Sequence, residues 1–322
     1  SFSSTPVDSK QSLTIGFLRQ VCQRFLLQID VSMGSRITYR RGLEKFFVWL
    51  SEQKEEHFSL TREDIINYKH FLNDISLSSF TKSLYLVSLR QFFSWMETVL
   101  IYPNVTQGVK GFKKHSRVHH KESLNQDLIK TLFTYLNNEL LKGADSLIAI
   151  RNYLLFYLLL HTGMRLTEIR NIVYGDIEKE GEQYILWIQG KGRISKDAFV
   201  VIQEEAHVLI TDYFQKRRSC GESISLRSLL IVSHNGKKTK IVKPLSTQSL
   251  SRLIRNEFIN AGIKTRKISA HSLRHTFGIL AIKAGVSLYD VQLAMRHSSP
   301  HTTQIYTADI ESMKRKDASA EK

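Results

Sequence analysis

The run YLLFYLLL at residues 153–160 constrains this chain more than any other stretch. Eight consecutive apolar or aromatic side chains can be covered on every side only inside a domain, and the run falls far short of the roughly 20 residues a membrane span needs. It predicts a buried helix over residues 147–161 around which amphipathic elements must pack. A companion helix is predicted at 128–141. After residue 176, the segments 183–189 (QYILWIQ) and 196–202 (KDAFVVI) alternate in strand fashion about a glycine-rich turn at 190–195, which predicts a hairpin. A helix at 204–217, a short strand at 229–233, and helices at 247–261, 270–284 and 287–295 follow, with a last short helix around Tyr306.

The first hundred residues carry a separate pattern. Ile15, Leu18, Cys22, Phe25 and Ile29 recur at steps of three and four, which predicts a helix over 13–29. Ser35 is the expected cap of a second helix to residue 52, with Tyr39, Leu43, Phe46, Phe47 and Leu50 inward and Arg36, Arg40, Arg41 and Lys45 outward. A third helix is expected from 61 to about 74. A fourth, over 78–99, would turn Leu84, Val87, Phe92, Phe93 and Trp95 inward. The sequence thus reads as mainly α with a small β-hairpin, an α+β chain in two domains: a flexible leader at 1–10, a helical domain at 11–110, a basic linker at 111–121 containing Lys113 and Lys114, and a second domain at 122–322.

Charge narrows the class of partner. There are 46 Lys plus Arg against 30 Asp plus Glu, a formal net charge of +16, which attracts polyanions such as nucleic acid or an anionic surface. The excess is shared: residues 1–120 hold 16 basic and 10 acidic residues, and residues 121–322 hold 30 and 20. Cys22 and Cys220 are the two cysteines, too few and too far apart for a disulfide framework, so a reducing compartment is expected. The opening SFSSTPVDSK has no apolar core of a signal peptide.

The chemistry concentrates in HSLRHTFGILAIKAGVSLYDVQLAMRHSSPHTTQIY, residues 271–306. Tyr306 is a candidate nucleophile, Arg274 an anion binder, and His271 and His297 proton-transfer or hydrogen-bonding groups. On a helical wheel Leu273, Phe277, Leu280 and Ala284 form an apolar stripe, while Arg274 and His271 lie roughly 100° and 160° from its centre, facing elsewhere. His271 and His275 have the spacing of a zinc-binding helix, yet Ser272 stands where a metalloprotease has Glu and no third ligand follows, so no metal is expected. Upstream, Arg165 in TGMRLTEI falls at a turn before a helix, and Lys191 sits in the hairpin turn GKG. Lys191 lacks the flanking pattern of a phosphate-binding loop.

Taken together, TGMRLTEI, the GKG hairpin, HSLRH, RHSS and TTQIY resemble the boxes of the tyrosine recombinases, the phage integrase family, in its Xer-type and transposon-integrase branch. Order and intervals agree: 26 residues from Arg165 to Lys191, 23 from Arg274 to His297, 9 from His297 to Tyr306. Two features depart from or vary the usual pattern: Arg296 occupies a place where glycine commonly precedes the histidine, and Glu168 fills a supporting acidic position. The resemblance implies a core-binding helical domain, a catalytic domain, and a site-specific recombinase that cleaves and rejoins DNA through a 3′-phosphotyrosine. It assigns Arg165, Lys191, His271, Arg274, His297 and Tyr306 as catalytic, with Glu168 orienting Arg165 or His271, and requires no cofactor. The implied partners are double-stranded DNA bearing short inverted-repeat core sites and three further copies of the chain in a synaptic tetramer, on the nucleoid in a bacterial cytoplasm and away from membranes. Arg40, Arg41, Lys82, Arg90, Lys113 and Lys114 are expected on phosphates in a C-shaped clamp. A type IB topoisomerase and a catalytically silent DNA-binding factor remain open as alternatives.

Overall fold

The computed structural model describes residues 12–112, 122–143, 146–189, 195–234 and 242–296. They divide into two compact units, Ser1–Val118 and His119–Lys322. In the first, α1 (Ile15–Gln28), α2 (Met33–Gln53), α3 (Arg62–Asp74) and α4 (Ser79–Thr98) enclose a core of Leu18, Phe25, Phe46, Phe47, Tyr68, Leu89, Phe92 and Phe93. The helices start where side-chain oxygens satisfy free backbone N–H groups: Thr14, Ser32 and Ser78 each accept such a bond. Ser32 caps α2, so Met33 and Gly34 form its first turn and Ser35 is not the cap. The inward face of α4 is Leu86, Leu89, Phe92, Phe93 and Met96, with Val87 exposed. Gly42 explains the close crossing of α2 and α4, because a Cβ there would collide with Ser88 Oγ and stand 3.2 Å from Tyr85 Cα.

The second unit is built around α6 (Leu147–Thr162), preceded by α5 (Gln126–Lys142). Leu154, Leu155, Phe156, Leu158 and Leu159 are all buried, as the apolar run requires. After the short α7 (Leu166–Arg170) and a 3-10 turn at Tyr174–Asp176, β1 (Ile177–Glu180), β2 (Gln183–Ile188) and β3 (Ala198–Ile202) form an antiparallel meander. β1 has no counterpart among the expected strands: three of its four residues are charged and exposed, so it shows little alternation. The helix α8 (Glu204–Ser219), the short pair β4 (Val232–Ser233) and β5 (Lys243–Pro244), and α9 (Thr247–Asn260), α10 (Ala270–Lys283) and α11 (Leu288–Ala294) complete the order. Ile279 of α10, Val291 of α11 and Met295 make a small cluster that seats α11 on α10.

No helix among the described residues is long and apolar enough to cross a membrane. The buried Arg217 forms an ion pair with Glu222 and lies 5.2 Å from the centre of the Tyr213 ring, whose hydroxyl meets His234 Nε2 at 2.6 Å. Burial, reinforced by the Arg151 and Arg217 charges against the opposing effect of Glu222, pulls the His234 pKa down to about 4.

Two stability predictions follow from these contacts. Gly163, which ends α6, has φ of +59°, and a Cβ there would run into the Phe277 ring. Gly181, in the β1–β2 turn, has φ of +61° with nothing within 4 Å. Urea unfolding should show Gly163→Ala losing about 2–4 kcal/mol, from backbone strain plus overpacking, and Gly181→Ala about 1 kcal/mol from strain alone; equal losses would remove the Phe277 collision from the account. For His234, the unfolded chain takes up a proton at about pH 6.5 while the folded chain waits until about pH 4. Its contribution is therefore complete above pH 6.5 and is lost as pH falls toward 4. The stability difference between wild type and His234→Gln should shrink across that window by at most about 1 kcal/mol per pH unit, reduced by water screening at this half-buried ring; urea midpoints at several pH values that run parallel for the two proteins contradict it.

Candidate active site

The site forms where two helix ends meet. Thr162 Oγ1 donates to Leu158 O at 2.6 Å as α6 closes, Gly163 takes the left-handed conformation, and the chain turns through buried Met164 into Arg165, the N-cap of α7. Glu168, in the first turn of α7, accepts the Arg165 backbone N–H at 2.7 Å and the Arg165 guanidinium Nη1 at 2.7 Å. The second Arg165 nitrogen, Nη2, donates to Arg296 O at 2.7 Å, beyond the end of α11.

Arg274 reaches the same place from α10. Its Nη1 donates to Gly163 O and its Nη2 to Met295 O. The C-terminal ends of α6 and α11 thus present carbonyl oxygens, the negative ends of their dipoles, to two guanidinium groups. Arg274 is 3% exposed and Arg165 is half-buried. The wheel placed Arg274 and His271 together on a face away from the core. In the structure they part: His271 is exposed at the start of α10, while residues Ser272 to Thr276 are buried without interruption. The helix is covered on nearly every side because it packs on α6, α9 and α11. Thr276 Oγ1 also accepts the Leu124 N–H at 2.8 Å, which ties the start of this unit to α10.

Glu168 is 1% exposed and is shared. Arg296 grips it with Nη2 at 2.8 Å from Oε2 and Nε at 3.3 Å from Oε1. Burial pushes the Glu168 pKa up, but hydrogen bonds and charge from Arg296 and bonds from Arg165 outweigh it, so the carboxyl titrates below its ordinary value. The sequence singled out Arg296 as a departure without giving it a task; the signal was a long cation in the place of a glycine.

Lys191, His297 and Tyr306 lie outside the described residues, as do Lys113 and Lys114. The base of the β2–β3 hairpin is held by Asn171 Nδ2 donating to Gln189 Oε1 at 3.3 Å and by the Lys196–Asp176 ion pair. In the first unit, Arg40 and Arg41 stand exposed on α2. Lys82 Nζ donates to Asn73 O at 2.9 Å and Arg90 to Val109 O, so both cations hold backbone carbonyls. Among the described residues no group of three or more His, Cys, Asp or Glu is placed to hold a metal ion.

Residues 122–313 match the phage integrase family, and residues 23–98 match the N-terminal SAM-like domain of phage integrases. Among similar proteins, the tyrosine recombinase XerH of Campylobacter jejuni is 30% identical over 277 residues, covering 84% of this chain and 73% of the relative. The tyrosine recombinase XerD of Rickettsia conorii is 25% identical over 300 residues, covering 91% and 94%. The fold is shared with the XerH recombinase in its post-cleavage complex with palindromic difH substrate (TM-score 0.70, 22% identity, 95% of this chain and 84% of that one). It is shared also with the Tn1549 transposon integrase in complex with transposon right end DNA (TM-score 0.65, 16% identity, 94% and 99%). The two matched regions together span most of the chain, and with them the structure's paired arginines acquire a context: this chain belongs to the phage integrase family and is a site-specific tyrosine recombinase.

Proposed function

We propose that Tyr306 attacks a scissile phosphodiester within a cradle formed by Arg165 and Arg274. The observation that carries this reading is the convergence of both guanidinium groups on Met295 O and Arg296 O, at the end of the helix that leads into the segment containing His297 and Tyr306. In this scheme the Tyr306 oxygen bonds to phosphorus and loses its proton toward His271. The bond from phosphorus to the 5′ oxygen breaks, and Lys191 supplies the proton that makes the 5′-hydroxyl. A 3′-phosphotyrosine remains, and attack on it by another strand's 5′-hydroxyl reverses the steps and frees the tyrosine. One ester replaces another, so no nucleotide hydrolysis is needed.

Arg165 and Arg274 would bind the non-bridging oxygens, where paired charge-assisted bonds are stronger in a partly dry site than in water. A free tyrosine with a pKa of about 10 is mostly neutral at pH 7, which gives His271 its task. His297 would bond the phosphate, and Glu168 would hold Arg165 at its angle.

The same reading extends to partners. Two structural relatives are complexes with DNA, and a net charge of +16 suits that ligand. We take the substrate as double-stranded DNA with short inverted-repeat core sites, bound by a synaptic homotetramer on the bacterial nucleoid. Residues 11–110 and the linker at 111–121 would clamp the duplex, with Arg40, Arg41, Lys82, Arg90, Lys113 and Lys114 as the candidates for phosphate contact, of which Arg40 and Arg41 stand exposed on α2. The recombinase relatives favour this over the topoisomerase-like alternative.

On a nicked suicide duplex carrying a core site, the wild type should form a covalent protein–DNA adduct, and Tyr306→Phe should form none while binding the duplex within about fivefold of wild type, since one hydroxyl contributes only on the order of 1 kcal/mol to binding. An adduct in the variant removes Tyr306 as nucleophile. Affinity for the same duplex should fall by roughly a thousandfold or more between about 50 and 200 mM salt if about six to ten phosphates are neutralised; anisotropy titrations with a flat salt dependence exclude the electrostatic clamp.

A further inference from the structure

Arg296 is not required by the scheme above, yet its geometry is costly. It follows Met295, the C-cap of α11, with φ of +53°, a left-handed conformation that costs a non-glycine residue about 1 kcal/mol. Glycine would sit there without strain. The side chain therefore needs an account of its own, and three contacts supply it. Its Nη1 donates to Ala294 O at 2.6 Å, folding the guanidinium back over its own helix end. Its Nη2 and Nε hold the two oxygens of Glu168. Its backbone carbonyl accepts Arg165 Nη2.

A count of charge gives these contacts a consequence. Arg165 and the buried Glu168, 2.7 Å apart, sum to zero. A carboxylate with that partner alone would cancel much of the field an incoming phosphate needs, and the cancellation would be strong because Glu168 is 1% exposed. Arg296, 2.8 Å from the other carboxylate oxygen, brings the trio to +1.

We infer that Arg296 is a positioning residue for the phosphodiester: its guanidinium occupies one side of Glu168 so that the Arg165 charge stays available, and its carbonyl sets the direction of the Arg165 fork. The inference rests on the reading of Arg165 as a phosphate ligand.

The test compares Arg296→Met, Arg296→Gly, Arg296→Lys and the double variant Glu168→Gln/Arg296→Met in single-turnover adduct formation on the nicked duplex. Duplex affinity and thermal melting are measured in parallel. Loss of a charge-assisted bond pair should slow adduct formation by about tenfold or more in Arg296→Met, with duplex affinity changed less than about threefold. Arg296→Lys should recover part of the rate. The double variant should be faster than Arg296→Met alone, because removing the carboxylate charge returns the Arg165 cation; a purely structural role predicts the opposite, since two buried bonds are then damaged. Arg296→Gly suits the backbone, so it keeps the test open should the methionine variant fold poorly. Adduct formation at the wild-type rate in Arg296→Gly, or no gain in the double variant, overturns the assignment.

A second readout needs no cleavage. Replacing chloride with inorganic phosphate at equal ionic strength should raise the melting temperature of the DNA-free wild type more than that of Arg296→Met, with the double variant again intermediate. Equal phosphate shifts in all three proteins count against Arg296. Absence of any adduct from the wild type contradicts the recombination chemistry, and the phosphate shifts then judge Arg296 separately.

Discussion

Glu168 is a carboxylate almost wholly withdrawn from water, and the site depends on how that withdrawal is compensated. An isolated buried carboxylate would take a proton rather than remain charged. Here the bonds from Arg165 and Arg296 reverse that tendency. Because both bonds are to arginines, keeping Glu168 ionised also fixes two guanidinium planes. One anchors the start of α7, the other the end of α11, so a single buried charge joins two segments that are 128 residues apart in sequence.

Helix ends do the rest. The carbonyls of Gly163, Met295 and Arg296 all accept bonds from Arg165 or Arg274. A helix C-terminus needs donors for its last carbonyls and carries partial negative charge, so cations are drawn to it without any ligand present. The same arginines offer planar forks that suit phosphate oxygens. Structural need and chemical use thus coincide in the same side chains, and the apolar cluster of Ile279, Val291 and Met295 holds the acceptor end of α11 in place.

Much of this was legible in the sequence, and the failures have physical causes. The run at 153–160 gave the central helix because burial on all sides leaves no polar face. The resemblance to the recombinase boxes pointed to Arg165 and Arg274, but not to the burial of Arg274, because the wheel of α10 assumes one wet face and α10 is enclosed by three helices. The α2 cap lies three residues before the expected one, because Ser32 accepts the Ser35 N–H and the residue types alone do not distinguish the two serines. β1 escaped notice since an edge strand with charged, exposed residues shows little alternation. Lys82 and Arg90, expected on phosphates, each donate to a backbone carbonyl, of Asn73 and Val109, as Arg165 and Arg274 also do; a positive charge in a sequence does not reveal that a carbonyl lies within its reach.

Arg296 illustrates the limit most clearly. Composition scores it as one more cation among 46, and local propensity scores it as a poor choice for a left-handed residue. Neither view contains Glu168, whose distance from Arg296 is set only when α7 is folded against α9 and α11 against α10. Once they are, the strained backbone and the ion pair become parts of one arrangement: the left-handed turn aims the carbonyl of Arg296 at Arg165 while the side chain returns to Glu168. The residue that violates a local rule is thus also the one that closes a buried charge network. Arg165 and Arg296 share the Glu168 carboxylate, and Arg165 and Arg274 share the carbonyls that end α11, so Arg165 joins the two sets.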